Sequence, residues 1–196
     1  MPNREKIIAD IQSWKPIIVL DHRECEWDFL VAAEHLTAES VNFMLTKGKW
    51  VLCVSMTWEV FDRYDLQHPE NMDEIEQTHF GQVIDLSHTI STGISAADRC
   101  ATIKGLTNDV FSSADFLSYE GHVRTLEAHP WWLKARAWHT EATVALCELA
   151  WCKPVWAIIE ILNEEWDIAD KGYLKWLADA YNLQMVTVND LIERIS

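Results

Sequence analysis

Glycine is in short supply along this chain of 196 residues: six occur where average usage of about 7 % would give roughly 14. Proline is sparse too, at five, so the two residues that most readily make turns are both under-represented. Basic side chains are a third shortage, with 16 Lys and Arg against 31 Asp and Glu and a net charge of -15. Nucleic-acid binding needs a basic face to neutralise phosphates. A nucleic-acid partner is therefore excluded, whereas a small phosphorylated ligand gripped by a few local arginines is not. No apolar stretch approaches the ~20 residues of a membrane span. The opening Met1-Pro2-Asn3-Arg4-Glu5-Lys6 leads into an amphipathic segment and lacks the apolar core and small-residue cleavage site of a signal peptide. The expectation is a cytoplasmic protein without a membrane partner. Neither a GxGxxG nor a P-loop occurs, which leaves nucleotide binding by those routes unsupported.

Five cysteines (Cys25, Cys53, Cys100, Cys147, Cys152) form no CxxC pair and no zinc-finger spacing. An odd, scattered set reads as reduced thiols in a reducing compartment, with Cys147 and Cys152 as core or surface thiols. What is abundant is tryptophan: 11 residues, outnumbering glycine. Otherwise 49 % hydrophobic and 24 % charged residues describe an ordinary globular chain, long enough for one domain, 1–196, with a substantial core.

Hydrophobic periodicity predicts a helix over 4–13 and a buried strand over 17–20. Thr37, followed by Glu39, caps a helix whose apolar face is Val41, Phe43, Met44 and Leu45, ending near Gly48. Further strands are predicted over 51–56, 83–86, 123–126, 155–162 and 185–188. Further helices are predicted over 59–64, from Ser95, over 140–149 and 173–181, and over 189–195 with Asn189 as cap. Residues 67–79 read as an acidic loop. The alternation places the chain in the α/β or α+β class with a mixed sheet.

Candidate chemistry gathers in four places. Arg23-Glu24-Cys25-Glu26-Trp27-Asp28 follows the first strand, and in extended chain Glu24, Glu26 and Asp28 point to one side as hard oxygen ligands. Bulky Trp27 stands among acids that would have to converge. His139-Thr140-Glu141 opens a helix with Arg136 upstream, which suits an anion. His122 follows Gly121 at a strand start, and Glu160 interrupts an apolar strand, where a carboxyl must be paired or shifted in pKa. Ser91-Thr92-Gly93 ahead of Ser95-Ala96-Ala97-Asp98 offers amides and hydroxyls at a helix start, equally readable as a simple cap. Taken singly, a solvated loop, a capping histidine or a structural histidine is the better reading of each. Together they are what metal-assisted proton transfer requires.

The motifs also occur in a telling order. They are Arg23-Glu24 to Asp28, Thr92-Gly93-Ile94-Ser95-Ala96-Ala97-Asp98-Arg99, Gly121-His122-Val123, Arg136 to Glu141, Glu160 through Asn163-Glu164-Glu165, and Met185-Val186-Thr187-Val188-Asn189-Asp190-Leu191-Ile192. On these the chain resembles the 3,4-dihydroxy-2-butanone 4-phosphate synthases of riboflavin biosynthesis over nearly its whole length. The resemblance implies a single α+β domain with a mixed sheet and helices, and because the chain ends soon after the last motif, no fused second enzyme is expected. It also implies conversion of D-ribulose 5-phosphate to L-3,4-dihydroxy-2-butanone 4-phosphate and formate. The implied cofactor is Mg²⁺ (or Mn²⁺), two ions per site, and the implied assembly is a homodimer with the site at the interface. Residue by residue, it makes Glu24 and His139 metal ligands and His122 and Glu160 essential for proton transfer. Arg23, Glu24, Asp28, Arg136, Thr140 and Glu160 become substrate contacts.

The departures from the family pattern are systematic. Trp14, Trp27, Trp50, Trp58, Trp131, Trp132, Trp138, Trp151, Trp156 and Trp166 stand where the family commonly has glycine; only Trp176 occupies an ordinary aromatic position. This pattern suggests a gene in which the codon UGA specifies glycine, translated with UGA as tryptophan. Restoring all ten would raise glycine near the roughly 14 of average usage. The chain as written is then expected to fold poorly or lack activity, with Trp138 crowding the anion pocket before His139. Two other readings stay open: a catalytically dead, Trp-rich paralogue acting as a binding module, and a different metal-dependent sugar-phosphate lyase or isomerase.

Overall fold

The computed structural model describes residues 4–21, 26–69, 78–88, 91–118, 120–131, 133 and 135–195. Arg23 and Glu24, two of the expected site residues, lie outside this set, as does Trp132. Among the described residues, eight strands form one mixed sheet: β1 (Ile17–Asp21), β2 (Glu26–Ala32), β3 (Cys53–Thr57), β4 (Phe80–Leu86), β5 (Phe116–Ser118), β6 (Val123–Ala128), β7 (Val155–Glu160) and β8 (Gln184–Thr187), in the order β5-β4-β6-β3-β7-β2-β1-β8. The β1–β8 and β3–β6 pairs are parallel and the rest antiparallel.

Strand alternation divides the sheet into two faces. On one, Phe29, Val31, Val54, Met56, Val123, Ala157 and Ile159 pack against α2 (Ala38–Gly48), α3 (Trp58–Arg63), α4 (Ala96–Gly105) and α6 (Lys171–Tyr181). On the other, Val19, Leu30, Cys53, Leu126, Trp156 and Ile158 pack against α1 (Arg4–Gln12), α5 (His139–Ala150) and α7 (Val188–Ile195). Each layer contributes its apolar stripe, and the result is a helix–sheet–helix sandwich of the α+β kind. Among the described residues, no helix is long and apolar enough to cross a membrane.

Three local expectations change. Of the acidic run after β1, Glu26 to Asp28 belong to a strand, Glu26–Ala32, because Phe29-Leu30-Val31 bury on both faces and β1 and β7 supply partners on either side. The cap of α7 is Thr187, whose Oγ1 accepts from the Asp190 N–H while Asp190 Oδ2 accepts from the Thr187 N–H, both at 3.0 Å; Asn189 lies inside the helix. The strand expected to reach 162 ends at Glu160. Helix α5 ends in a left-handed residue, Trp151, after which the Cys152 N–H donates back to the Cys147 carbonyl at 3.3 Å. This six-to-one closure is a Schellman cap.

Candidate active site

Asp28 on β2 and Glu160 on β7 are register partners. Alternation turns both toward the α5 face, since Leu30 and Ile158 two residues away belong to that core. Trp27 therefore turns the other way and is buried in the opposite core beside Phe29, so it does not separate the acids in space. Glu26, Asp28 and Glu160 line one pocket together with Cys53, Thr78, Phe80, Leu126, Trp138, His139, Thr140 and Ile158. The first turn of α5 forms its roof. His139 presents Nδ1 at 3.5 Å from Asp28 Oδ2, and its Nε2 lies 3.1 Å from the Val19 carbonyl. A carbonyl only accepts, so Nε2 carries a proton, and Nδ1 is the nitrogen turned toward the pocket.

Crowding of acids has an electrostatic signature. Burial pushes the Glu160 carboxyl up to about 8, and the Asp28 carboxylate adds to that rise. Burial raises the Cys53 thiol as well, helped by Glu160 and Asp28. Cys53 is thus a neutral wall residue and no nucleophile.

His122 stands at the same end of the sheet. It precedes Val123 on β6, and the Arg124–Cys53–Ile158 register puts it level with Glu160 across β3. Two inter-strand steps make ~10 Å between the backbones. Its Nδ1 lies 2.7 Å from Asp85 Oδ2, and its backbone N–H donates to Asp85 Oδ1 at 3.0 Å. Asp85 is buried at the end of β4, so this two-point grip fixes the ring and leaves Nε2 as the working nitrogen. The grip requires Gly93: at φ 86°, a Cβ there would lie 2.0 Å from Asp85 Oδ2 and 2.6 Å from His122 Nδ1.

The loop carrying Gly93 is tied down by Asp98, whose carboxylate accepts from the Ser91 N–H at 3.0 Å and from the Ser91 hydroxyl at 2.8 Å. These bonds, the Ser91 N–H first, pull the Asp98 carboxyl down to about 2. The amide and hydroxyl of Ser91, read from sequence as available to an anion, are thus committed to Asp98. The free-looking helix start is instead that of α5, where N-cap Trp138 makes no side-chain cap bond and Thr140 lines the pocket.

Asp28, Glu160, His139 and Thr140 share the pocket, and His122 flanks it. Arg136 adjoins the pocket through Trp138: it is buried, with Nε and Nη2 donating to Glu141 Oε1 at 3.0 and 2.7 Å, and its guanidinium stacks on the Trp138 ring at 4.5 Å. Sequence reasoning singled out neither Asp85 nor Arg124. Arg124 is on the pocket face of β6, 4.4 Å over the Phe80 ring, with a buried Nε that has no hydrogen-bond partner among the described residues. A short-range signal existed for Asp85, an acid set in the otherwise apolar run 83–86; none existed for Arg124.

Whether a divalent cation fits can be judged from the donors. Glu26, Asp28 and Glu160 offer hard oxygens and His139 Nδ1 a nitrogen, and a cation would favour the charged form of Glu160 against the burial and the Asp28 carboxylate that raise its pKa. Among the described residues no group of three or more His, Cys, Asp or Glu is placed to hold an ion alone. A set of carboxylate oxygens with one imidazole fits Mg²⁺, which prefers oxygen ligands and keeps several waters, better than Zn²⁺, which favours nitrogen and sulfur donors.

The sequence profile of the family described as 3,4-dihydroxy-2-butanone 4-phosphate synthase matches residues 5–194. The chain is similar to the riboflavin biosynthesis protein RibBA of Aquifex aeolicus (strain VF5), 39 % identical over 195 residues, and to that of Bacillus mycoides (strain KBAB4), 36 % identical over 191 residues. Each alignment covers 96 % of this chain and 48 % of the relative, so the chain spans about half the length of the curated relatives it matches. Among solved structures, it matches RibBX, a two-domain 3,4-dihydroxy-2-butanone 4-phosphate synthase from A. baumannii, with a TM-score of 0.90 at 31 % identity, over 97 % of this chain and 57 % of that one. It matches a 3,4-dihydroxy-2-butanone 4-phosphate synthase in complex with two magnesium ions with the same TM-score of 0.90, at 28 % identity, over 100 % of this chain and 97 % of that one.

Proposed function

The chain belongs to the 3,4-dihydroxy-2-butanone 4-phosphate synthase family, and on that premise we propose that it converts D-ribulose 5-phosphate to L-3,4-dihydroxy-2-butanone 4-phosphate and formate in riboflavin biosynthesis. The observation that carries this reading is the placement, level with each other at one end of the sheet, of a half-buried carboxyl whose pKa burial raises, Glu160, and an Asp-gripped imidazole, His122. The five-carbon substrate divides into a four-carbon product and a one-carbon acid, which requires proton removal and return at neighbouring carbons. His122 Nε2 serves as base and Glu160 as the group that returns a proton. Asp28 and Thr140 orient the sugar hydroxyls, and the uncapped first turn of α5 receives the anionic end. Arg136 acts through Glu141, holding that turn in place. Arg23 and Glu24 complete the substrate contacts, as the family pattern implies.

A divalent cation, Mg²⁺ with Mn²⁺ as substitute and two ions per site, supplies Lewis-acid polarisation of the sugar carbonyl and hydroxyls when bound. Glu24 and His139 are its protein ligands. The enzyme works as a cytoplasmic homodimer with the site at the interface. Formate release from ribulose 5-phosphate, measured with Mg²⁺ and with EDTA, tests the reading. Stoichiometric formate that disappears with EDTA is expected. The assay is run on the chain as written and on a form with glycine at the ten tryptophan positions, because the positive φ angles of Trp14, Trp151 and Trp166 support the glycine reading. No formate from either form would overturn the function. UGG codons at those positions would overturn the recoding.

A further inference from the structure

Two thiols sit together at the far end of α5, away from the pocket. In the Schellman cap, the third residue from the helix end and the second residue beyond it are brought side by side. Here those two residues are Cys147 and Cys152. Their contacts are reciprocal. The Cys147 thiol donates to the Cys152 carbonyl, and the Cys152 Sγ lies 4.0 Å from the Cys147 carbonyl. Adjacent backbones with side chains on one side are what the ~4.4–6.8 Å Cα separation of a disulfide demands.

The two sulfurs are also differentiated. The side-chain interaction with Cys152 pulls the Cys147 thiol below its ordinary range, and the same interaction, with burial, pushes Cys152 up. Cys53 and Cys100 are both raised by burial. Cys147 also lines an open cavity of about 430 Å³ with Thr57, Arg63, Leu106 and Lys153, so a small oxidant can reach it.

We propose that Cys147 and Cys152 are a reversible oxidation site that forms an intrachain disulfide with hydroperoxides. The Cys147 thiolate attacks the peroxide O–O bond, gaining one oxygen as a sulfenic acid while the other leaves as water. The Cys152 sulfur then displaces that hydroxyl as a second water, forming the S–S bond. Two thiols and one hydrogen peroxide become one disulfide and two waters, and a dithiol reductant reverses the step. The new bond staples the last turn of α5, whose first turn carries His139 and Thr140.

The test uses the full chain treated with hydrogen peroxide. Intact mass should fall by two hydrogens, mapped by fragmentation to 147–152, and return with dithiothreitol. Cys147 should react with peroxide at least ~10-fold faster than Cys53 or Cys100. In Cys152→Ser, Cys147 should accumulate as a dimedone-trappable sulfenic acid; in Cys147→Ser, the mass loss should vanish. Circular dichroism confirms that both variants fold. Hydrogen exchange at the C-terminal turn of α5 should slow on oxidation. An unchanged mass, a loss that persists in Cys147→Ser, or a disulfide between chains in place of the internal one would overturn the assignment.

Discussion

Trp14, Trp151 and Trp166 adopt φ values of 64°, 59° and 66°, where an L side chain costs roughly 1–2 kcal/mol. Their rings are exposed, Trp151 at 90 %, so little burial offsets the strain. Trp151→Gly should raise stability by ~1 kcal/mol, read as a higher urea midpoint at unchanged slope. A lower midpoint would show that the ring contributes more than the backbone loses. Trp156 presents the opposite problem: it is fully buried, and its indole N–H has no hydrogen-bond partner among the described residues. A donor orphaned in a core is a cost, which suits a smaller residue there. Gly93 tests the converse. Gly93→Ala puts a methyl into the Asp85–His122 contact and should lose several kcal/mol or the fold itself, followed by thermal denaturation.

At the level of elements, local pattern gave way where pairing decides. Glu26-Trp27-Asp28 looks like chain leaving a sheet because charges dominate it, and it becomes β2 through hydrogen bonds to β1 and β7 that no local window contains. Glu160 and the start of α5 were readable, one as a charge in an apolar run, the other from His-Thr-Glu before a helical stretch. The partner of His122 was not, since Asp85 lies 37 residues earlier and meets it only across the β4–β6 pair. Asp85→Asn keeps the shape and removes the negative charge behind the ring. It should lower kcat on the order of 10²-fold with little change in KM, measured by formate release. An unchanged kcat would remove His122 from the proton-transfer pair.

For the whole molecule, charge and pH are coupled through one residue. Glu160 has a folded pKa of about 8 against the ordinary 4.5, so between those values the native protein holds a proton that the unfolded chain releases. Stability must fall as pH rises through that window. In EDTA, urea midpoints at pH ~5 and ~8 should differ more in the native sequence than in Glu160→Gln. Equal slopes would mean that self-repulsion of the -15 net charge accounts for the decline.

The pairing of β2 with β7 brings Asp28 to Glu160 across more than a hundred residues of chain. Its consequence is kinetic. A nascent chain that has made only β1 and β2 carries Glu26 and Asp28, two of the three described pocket acids, on an open sheet edge, exposed to wrong pairing until β7 and β8 emerge to enclose it. Folding dominated by such distant contacts is slow, milliseconds to seconds for comparable topologies. Pocket assembly is therefore expected to coincide with the final cooperative step, so that refolding followed by Trp fluorescence and by recovery of formate release gives one rate.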